Sequence, residues 1–214
     1  MKPVKLYQLK DYTFATKEAQ VDEEGNAHSR ILKLQSDYAS YGVRRAVEAI
    51  ILVHEHKHPH VLMFQFGGAY FKLPGDNLSP EEDEIEGLCK SLNKKLGSEA
   101  KSVEASSTEK DTNGGKTEMQ ANEWIIGECI STYYRPNFET FMYPYCPPHI
   151  SRPKEIKKTF LVHLPDKKIL TVPRNMKLIA VPLFELYDNC ARYGQQLAAL
   201  PHLLSRFDFD FVEK

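Results

Sequence analysis

Apolar residues recur at helical spacing in one early stretch of the chain, and β-rich runs follow it. In "SRILKLQSDYASYG", Ile31, Leu34, Tyr38 and Tyr41 fall on one face and Gly42 comes directly after them, which predicts a helix ending at that glycine. The pattern then changes from helical to strand-like, because runs rich in β-branched and aromatic residues alternate with short turn signals. These runs predict a hairpin or adjacent strand pair and a third short strand, over residues 44–56, 60–67 and 69–74.

A second helical pattern begins near Ser79. The run Ser79-Pro80-Glu81-Glu82 matches a capping box with proline at the first helical position. The apolar stripe that follows consists of Ile85, Leu88, Cys89, Leu92 and Leu96. Residues 98–121 are polar and rich in Ser, Thr, Glu, Lys and Gly, so they predict a disordered insertion after the helix.

The remainder of the chain mixes strand and helix signals. Strands are predicted over residues 123–134, 157–165 and 167–173, and helices over residues 181–189 and 193–207. Strands flanked by helices without a repeating βαβ period predict a layered α/β or α+β domain. We expect a single body over residues 28–214, with residues 1–27 as an irregular arm that packs on it.

Charge and cysteine content exclude several classes of protein. A net charge of −1 gives no bulk attraction to nucleic acid or to an anionic membrane, so binding to either requires a local site. No apolar run approaches the roughly 18 residues of a membrane-spanning helix. The four cysteines are far apart and form no CxxC pair, which argues against a zinc ribbon or a disulfide scaffold. We therefore expect a soluble intracellular protein with no membrane association.

The segment 72–97, "KLPGDNLSPEEDEIEGLCKSLNKKLG", resembles a Nudix box, in which a glycine loop leads into a helix whose glutamates hold Mg²⁺ against a diphosphate. In that frame the early glutamate falls on Glu82 and the closing glycine on Gly97, while Asp76 replaces the second glycine. Metal-binding glutamates of the frame are replaced, at Ser91, Lys94 and Lys95. Because Mg²⁺ prefers carboxylate oxygens and water, two ammonium groups there disfavour a metal site and predict a protein that is not an enzyme. An ordinary structural helix has the same gradient, acidic first and basic last.

Four histidines alternate in "VHEHKHPH", at His54, His56, His58 and His60. They could present two imidazoles on one strand face to a transition metal. A polar hairpin rim interrupted by Pro59 is the alternative, and it is favoured because a metal site needs three or four convergent ligands. We expect neither a metal nor another cofactor.

Two adjacent aromatic residues in "GGAYFKLPG" indicate a binding surface. Tyr70 and Phe71 follow a glycine pair on a short predicted strand, where successive side chains point to opposite faces. One ring can therefore enter the core while the other stays available to stack on a base. Arg30, Arg44, Arg45 and Glu48 on nearby elements could contact base edges. Packing of both rings in the core is the alternative, and composition alone favours it.

Several long strings resemble the family of small Nudix-fold subunits of pre-mRNA cleavage factor Im, a polyadenylation factor. The resemblance runs nearly end to end and is carried by "DYTFATKE", "GVRRAVEAIILVHEHKHPHVL", "YFKLPG", "RPNFETFMYPYCPPHISRPKEIKK", "VPLFELYDN" and "LLSRFDF". It implies a Nudix-type α/β/α sandwich, with a mixed sheet between helices, in a nuclear, non-catalytic protein that reads UGUA elements in pre-mRNA. It also implies a homodimer that engages a larger subunit bearing an RNA recognition motif, with "RPNFETFMYPYCPP" as a candidate contact surface.

The same resemblance implies a set of RNA-contacting residues. They are Asp22, Arg30, Glu48, Ala69, Tyr70, Phe71, Leu73, Tyr193 and Gly194. In this chain Asp22 replaces a glutamate, Tyr70 a phenylalanine and Ala69 a threonine. Tyr70 keeps a ring for stacking, worth about 1–3 kcal/mol per base. Arg30 and Asp22 can satisfy the acceptors and donors of guanine.

Two other functions stay open at this point. A Nudix-type hydrolase or a dinucleoside polyphosphate-binding protein would need displaced metal ligands, such as Glu81, Glu82, Glu84 and Glu86. A scaffold for a larger subunit, with its pocket filled by its own chain, is the third hypothesis.

Overall fold

The computed structural model describes residues 3–20, 27–68, 70–97 and 124–213, and the insertion predicted over residues 98–121 lies outside these ranges. The strands are β1 Val4–Tyr7, β2 Thr13–Lys17, β3 Arg44–Glu55, β4 His58–Phe66, β5 Tyr70–Lys72, β6 Gly75–Asn77, β7 Ile125–Arg135, β8 Glu155–His163, β9 Ile169–Pro173, β10 Lys177–Pro182 and β11 Phe209–Val212. The helices are α1 Ala27–Tyr41, α2 Glu84–Leu96, α3 Leu183–Leu186, α4 Cys190–Tyr193, α5 Gln195–Ala198 and α6 Leu200–Leu204.

A mixed seven-stranded sheet forms the centre of the molecule. Its strands run in the order β10-β4-β3-β8-β7, with β5 paired to β4 and β6 paired to β3. The predicted hairpin is confirmed: β3 and β4 are antiparallel, and His56 and Lys57 make the turn with positive φ angles of 51° and 61°. Strand β3 also pairs with β8 in parallel, and the run Ala46–His54 is buried throughout, as a central strand covered on both faces requires.

Helices cover both faces of the sheet. On one face, the stripe of α2 places Leu88, Leu92 and Leu96 at 0% exposure against core side chains of β3, β4 and β8. On the other face, the short C-terminal helices bury Leu186 and Leu204. The predicted α/β/α sandwich with a mixed sheet is therefore confirmed.

The N-terminal segment corrects one expectation, because it is not irregular throughout. Strand β1 pairs in parallel with β11, and β2 pairs in parallel with β9, so each joins a strand from the C-terminal half of the chain. Val4 and Leu6 are buried on alternate positions of β1, a strand period that the short run did not reveal. The side chain of Lys17, at the end of β2, donates to the carbonyl oxygens of Lys94 and Gly97 at the C-terminus of α2.

The start of α2 is a second correction. The helix begins at Glu84, and its N-cap is Asp83, whose carboxylate accepts from the backbone N–H groups of Ile85 and Glu86. The helix start predicted at Ser79 is therefore wrong, and Arg45 donates to three carbonyl oxygens of the turn that precedes the helix. Those acceptors are the carbonyls of Ser79, Pro80 and Glu82.

The C-terminal third differs from the two helices predicted there. It contains four short helices, α3 to α6, and strands β10 and β11, which the sequence did not indicate. Asp188 and Gly194 adopt positive φ angles of 54° and 81°, so each ends a helical segment. Pro201 lies in the first turn of α6, where its missing N–H costs nothing.

Candidate functional site

The turn at Gly67 and Gly68 leads into β5, where the neighbouring rings of Tyr70 and Phe71 lie in different environments. Both glycines have positive φ angles, 55° and 86°, which let the chain reverse direction before Tyr70. Tyr70 is 44% exposed, whereas Phe71 is only 7% exposed. Of the two arrangements considered from sequence, the structure therefore has the one in which Phe71 enters the core and Tyr70 stays available, and core packing of both rings, which composition favoured, is wrong.

Helix α1 approaches the exposed ring through Arg30. One guanidinium nitrogen of Arg30 donates to the hydroxyl of Tyr70 at 2.8 Å, and the guanidinium carbon lies 5.0 Å from the ring centroid. Arg44 and Asp37, 4.0 Å apart, link the last turns of α1 to β3. The Tyr70 ring is thus oriented by a cation while much of its surface remains in contact with solvent.

The buried ring packs against the C-terminal helices. Phe71 lies 4.7 Å from the ring of Tyr193 in α4, centroid to centroid. The Tyr193 hydroxyl donates to the Glu185 carboxylate at 2.5 Å, and Arg192 contacts the same oxygen at 3.0 Å. Burial and then this hydrogen bond raise the pKa of Tyr193 to about 12, so its hydroxyl keeps its proton at neutral pH. Gly194 follows with space around its α-carbon.

Two adjoining cavities meet at Tyr70. The first, of about 310 Å³, is mostly charged, with Arg30, Arg44 and Glu155 among its walls. The second, of about 570 Å³, is more apolar and reaches the Phe71–Tyr193 pair. The walls common to both are Glu48, Tyr70, Lys72, Thr140, Met142, Lys157 and Gln196. We call the two cavities together the cleft.

The cleft brings together the described members of the predicted RNA-contacting set. These members are Arg30, Glu48, Tyr70, Phe71, Leu73, Tyr193 and Gly194, each of which lines one cavity or both. Asp22 and Ala69 lie outside the described residues. Of the arginines expected to contact base edges, Arg45 points elsewhere, to the loop before α2.

Sequence reasoning missed a group of charged residues beneath the cleft. The carboxylate of Glu155 accepts from Arg44 at 3.1 Å and from Arg135 at 2.7 Å, and Lys157 lies 2.8 Å from Glu48. Burial alone would raise the pKa of Glu155, but the charges of Arg44, Arg135 and Lys157 outweigh it and hold the pKa below its ordinary value. The signal was present in "KEIKK", where charged residues alternate at the start of an otherwise apolar strand.

Several charged groups of the Nudix-box segment are engaged with their own chain. Lys95 donates to the Gly75 carbonyl and lies 3.6 Å from the Asp76 carboxylate. Glu84 pairs with Lys158 at 2.8 Å. Hydrogen bonds from Lys90 and from the backbone of Ser79 lower the pKa of Glu82.

Among the described residues, no group of three or more His, Cys, Asp or Glu side chains is placed to hold a metal ion. His54 is buried and bonds through Nε2 to the Val212 carbonyl at 3.0 Å, and His60 bonds to the His58 carbonyl. Within the described ranges, no helix has the length and apolar character needed to cross a membrane.

A family model defines the class of this chain, which is the Nudix class. The Nudix family model described as nucleotide hydrolase matches residues 2–207. A solved structure of an Ap4A hydrolase from C. elegans is 13% identical, with a TM-score of 0.43 over 76% of this chain and 96% of that one. A dihydroneopterin triphosphate pyrophosphohydrolase from E. coli is 11% identical, with a TM-score of 0.46 over 76% of this chain and 93% of that one.

Curated relatives indicate which group within the Nudix class this chain resembles. "Pre-mRNA cleavage factor Im 25 kDa subunit 2" of Arabidopsis thaliana is 44% identical over 98% of this chain and 96% of its own. "Cleavage and polyadenylation specificity factor subunit 5" of Dictyostelium discoideum is 40% identical over 99% of this chain and 98% of its own. The chain therefore belongs to the Nudix family, within the group of small subunits of pre-mRNA cleavage factor Im.

Proposed function

We propose that this protein is a non-catalytic, RNA-binding subunit of the machinery that cleaves and polyadenylates pre-mRNA, and that it recognises UGUA elements in the nucleus. The names of its relatives, which are subunits of cleavage and polyadenylation factors, support the process. The cleft supports the mode of action, since it combines an aromatic ring with donors and acceptors suited to base edges.

The observation that carries the proposal is the exposed ring of Tyr70 between the two cavities. A base stacked on this ring would present its edge to the walls of either cavity. Arg30 supplies donors for base acceptors, and Glu48 supplies an acceptor for base N–H groups. The cavities, with volumes of about 310 and 570 Å³, are large enough for more than one nucleotide base.

The absence of catalysis is proposed from the Nudix-box segment. Its lysines replace the paired glutamates, and Lys95 is bonded to the chain that leads into the box. A cation at that position repels Mg²⁺ rather than binding it. The description of the matching family as nucleotide hydrolases keeps a second candidate, a dinucleoside polyphosphate hydrolase or binding protein, as an outcome of the test.

Assembly is part of the same proposal. We infer a homodimer that engages a larger subunit bearing an RNA recognition motif. Three exposed aromatic residues of the loop between β7 and β8 support a contact surface, since Tyr and Phe are enriched at interfaces. They are Phe141, Tyr143 and Tyr145. A backbone bridge between Tyr134 and Tyr143 ties this loop to β7, so the rings are presented on an ordered segment.

The decisive experiment is a titration of fluorescent RNA that contains UGUA against an RNA of the same composition in scrambled order. We expect the UGUA RNA to bind more tightly, with the same affinity in Mg²⁺ and in EDTA. Equal affinity for the two RNAs would refute the proposal. Incubation with a dinucleoside polyphosphate and Mg²⁺ should give no products, and turnover there would favour the hydrolase.

A further inference from the structure

An ion pair lies in the wall that separates the two cavities. The Nζ atom of Lys157 in β8 is 2.8 Å from Oε1 of Glu48 in β3. Their side chains are only 18% and 9% exposed, respectively, yet both residues border both cavities. A pair this buried interacts much more strongly than one at the surface, and removal of one partner leaves a costly lone charge.

The Glu48 carboxylate has two oxygens, and Lys157 lies against one of them, Oε1. Glu48 also borders both cavities, so its carboxylate is placed at the surface that a ligand in the cleft would meet. A carboxylate accepts N–H donors along several directions, so its discrimination between base edges depends on how firmly it is oriented.

Lys157 is itself held in place by charge. Glu155 lies two residues earlier on β8, so its side chain leaves the strand on the same face. Arg44 and Arg135 fix Glu155. Burial alone would lower the pKa of Lys157, but the carboxylates of Glu48 and Glu155 outweigh it and raise the pKa, so the ammonium group stays charged at neutral pH.

We propose that Lys157 is a positioning residue that orients the Glu48 carboxylate and thereby sets the base specificity of the cleft. This inference rests on the proposed function, since it concerns the RNA that the cleft would bind. The ammonium group neutralises the buried carboxylate and fixes Oε1, so that the carboxylate meets an N–H donor of a base in one orientation. Its contribution is therefore to discrimination between RNAs more than to general attraction for phosphates.

The next residue along the strand provides a matched control. Lys158 points to the opposite face of the sheet, where it pairs with Glu84 of α2 at 2.8 Å. A change of Lys158 to Met removes the same charge and introduces the same side chain as the change of Lys157 to Met, one position away on the same strand. The two variants differ in the face of the sheet that loses its ammonium group.

The test is a double-mutant cycle on the full chain with Glu48→Gln and Lys157→Met, each titrated with UGUA and scrambled RNA. We expect each single variant to lose about tenfold in affinity for the UGUA RNA, the amount typical of one charge-assisted hydrogen bond, with little change for the scrambled RNA. The double variant should bind UGUA RNA no more weakly than whichever single variant has the lower affinity for it, because Lys157 acts through Glu48. Lys158→Met should keep the wild-type preference.

Four results would overturn the inference. Equal losses for both RNAs in Lys157→Met would mean a general electrostatic role, and multiplying losses in the double variant would mean that Lys157 acts independently of Glu48. Should Lys157→Met fail to fold, Lys157→Gln replaces it, and an unchanged preference in that variant would also refute the idea. A wild-type protein without UGUA preference would remove both the proposed function and this inference, whereas a preference that survives in the Lys157 variants removes only the latter.

Discussion

The Nudix-box segment and the cleft are both rich in charge, but they use it differently. In the segment, Lys95 bonds to Gly75 and Asp76, Glu84 bonds to Lys158, and Asp83 caps its own helix. In the cleft, Tyr70 is 44% exposed and Glu48 borders open volume. Several charges of the first region are bonded within the fold, whereas the second combines paired charges with an aromatic ring at an accessible surface.

This difference indicates that the two regions depend on different residues. The helix that holds metal in a Nudix box still packs its apolar stripe on the sheet, because packing depends on the leucines and not on the glutamates. The cleft lies beside that helix and is built mainly by α1, β3, β5, β8 and the C-terminal helices. Substitutions can therefore separate the two regions by what each one damages.

The largest expected effect is on stability, from the buried carboxylate under the cleft. Glu155→Gln removes the negative charge shared by Arg44 and Arg135 and leaves both guanidinium groups poorly compensated. We expect the free energy of unfolding to fall by about 3–5 kcal/mol at neutral pH, measured by denaturant titration. Glu128→Gln is the control, since its pair with Arg206 is exposed and should be worth at most about 1 kcal/mol.

The pH dependence of the stability of the same variant gives a further prediction. The pKa of Glu155 is lowered from 4.5 in the folded protein, so the unfolded chain binds its proton first as pH falls. Its stabilising contribution is present above the unfolded value and is lost as pH falls through the folded value. Glu155→Gln should therefore show a shallower acid loss of stability than the wild type, and parallel curves would contradict the assignment.

The core of the Nudix-box helix gives the next effect. Leu92→Ala removes a side chain that is 0% exposed between α2 and the sheet, and should cost about 2–5 kcal/mol of stability. The folded fraction should still bind UGUA RNA with wild-type affinity, because Leu92 does not border the cleft. Leu32→Ala, at a position 51% exposed on α1, should leave stability nearly unchanged. A large loss of RNA affinity in folded Leu92→Ala would contradict the separation of the two regions.

Much of this architecture was predictable from local pattern, and the exceptions share a cause. The hairpin of β3 and β4, the C-terminal end of α1, the apolar stripe of α2 and the opposed faces of Tyr70 and Phe71 follow from periodicity and glycine placement. Strands β1, β2 and β11 did not, because each is short and is stabilised by a partner far away in sequence. The turn before the N-cap at Asp83 is held by Arg45, which lies on another element.

The candidate site, too, was predictable from the sequence only in part. The resemblance supplied residues that line the cleft, and the alternation within β5 supplied the reason that Tyr70 is exposed. The pairing of Glu48 with Lys157 and of Glu155 with two arginines required the register between β3 and β8, which no local pattern fixes. Parallel strands distant in sequence bring such charges together only in the folded chain.

On the cleft side, the largest effect on binding should come from the exposed ring. Tyr70→Ala should weaken UGUA binding by about 1–3 kcal/mol without a comparable loss of stability, as measured by anisotropy and by thermal unfolding. Tyr70→Phe is the matched control, since it keeps the ring and loses only the hydrogen bond from Arg30. Should Tyr70→Phe bind as weakly as Tyr70→Ala, the Arg30 contact rather than stacking would be responsible.

The smallest effect should come from the cap of the Nudix-box helix, and it tests which residue performs that role. Asp83→Ala removes the carboxylate that accepts from Ile85 and Glu86, so the unfolding midpoint should fall, though less than in Leu92→Ala. Ser79→Ala should change it little, because the bonds of Ser79 to Glu82 and Arg45 use backbone atoms. A larger fall of the midpoint in Ser79→Ala than in Asp83→Ala would restore the capping box at Ser79. Neither variant should alter RNA affinity, because both residues lie in the Nudix-box segment and neither borders the cleft.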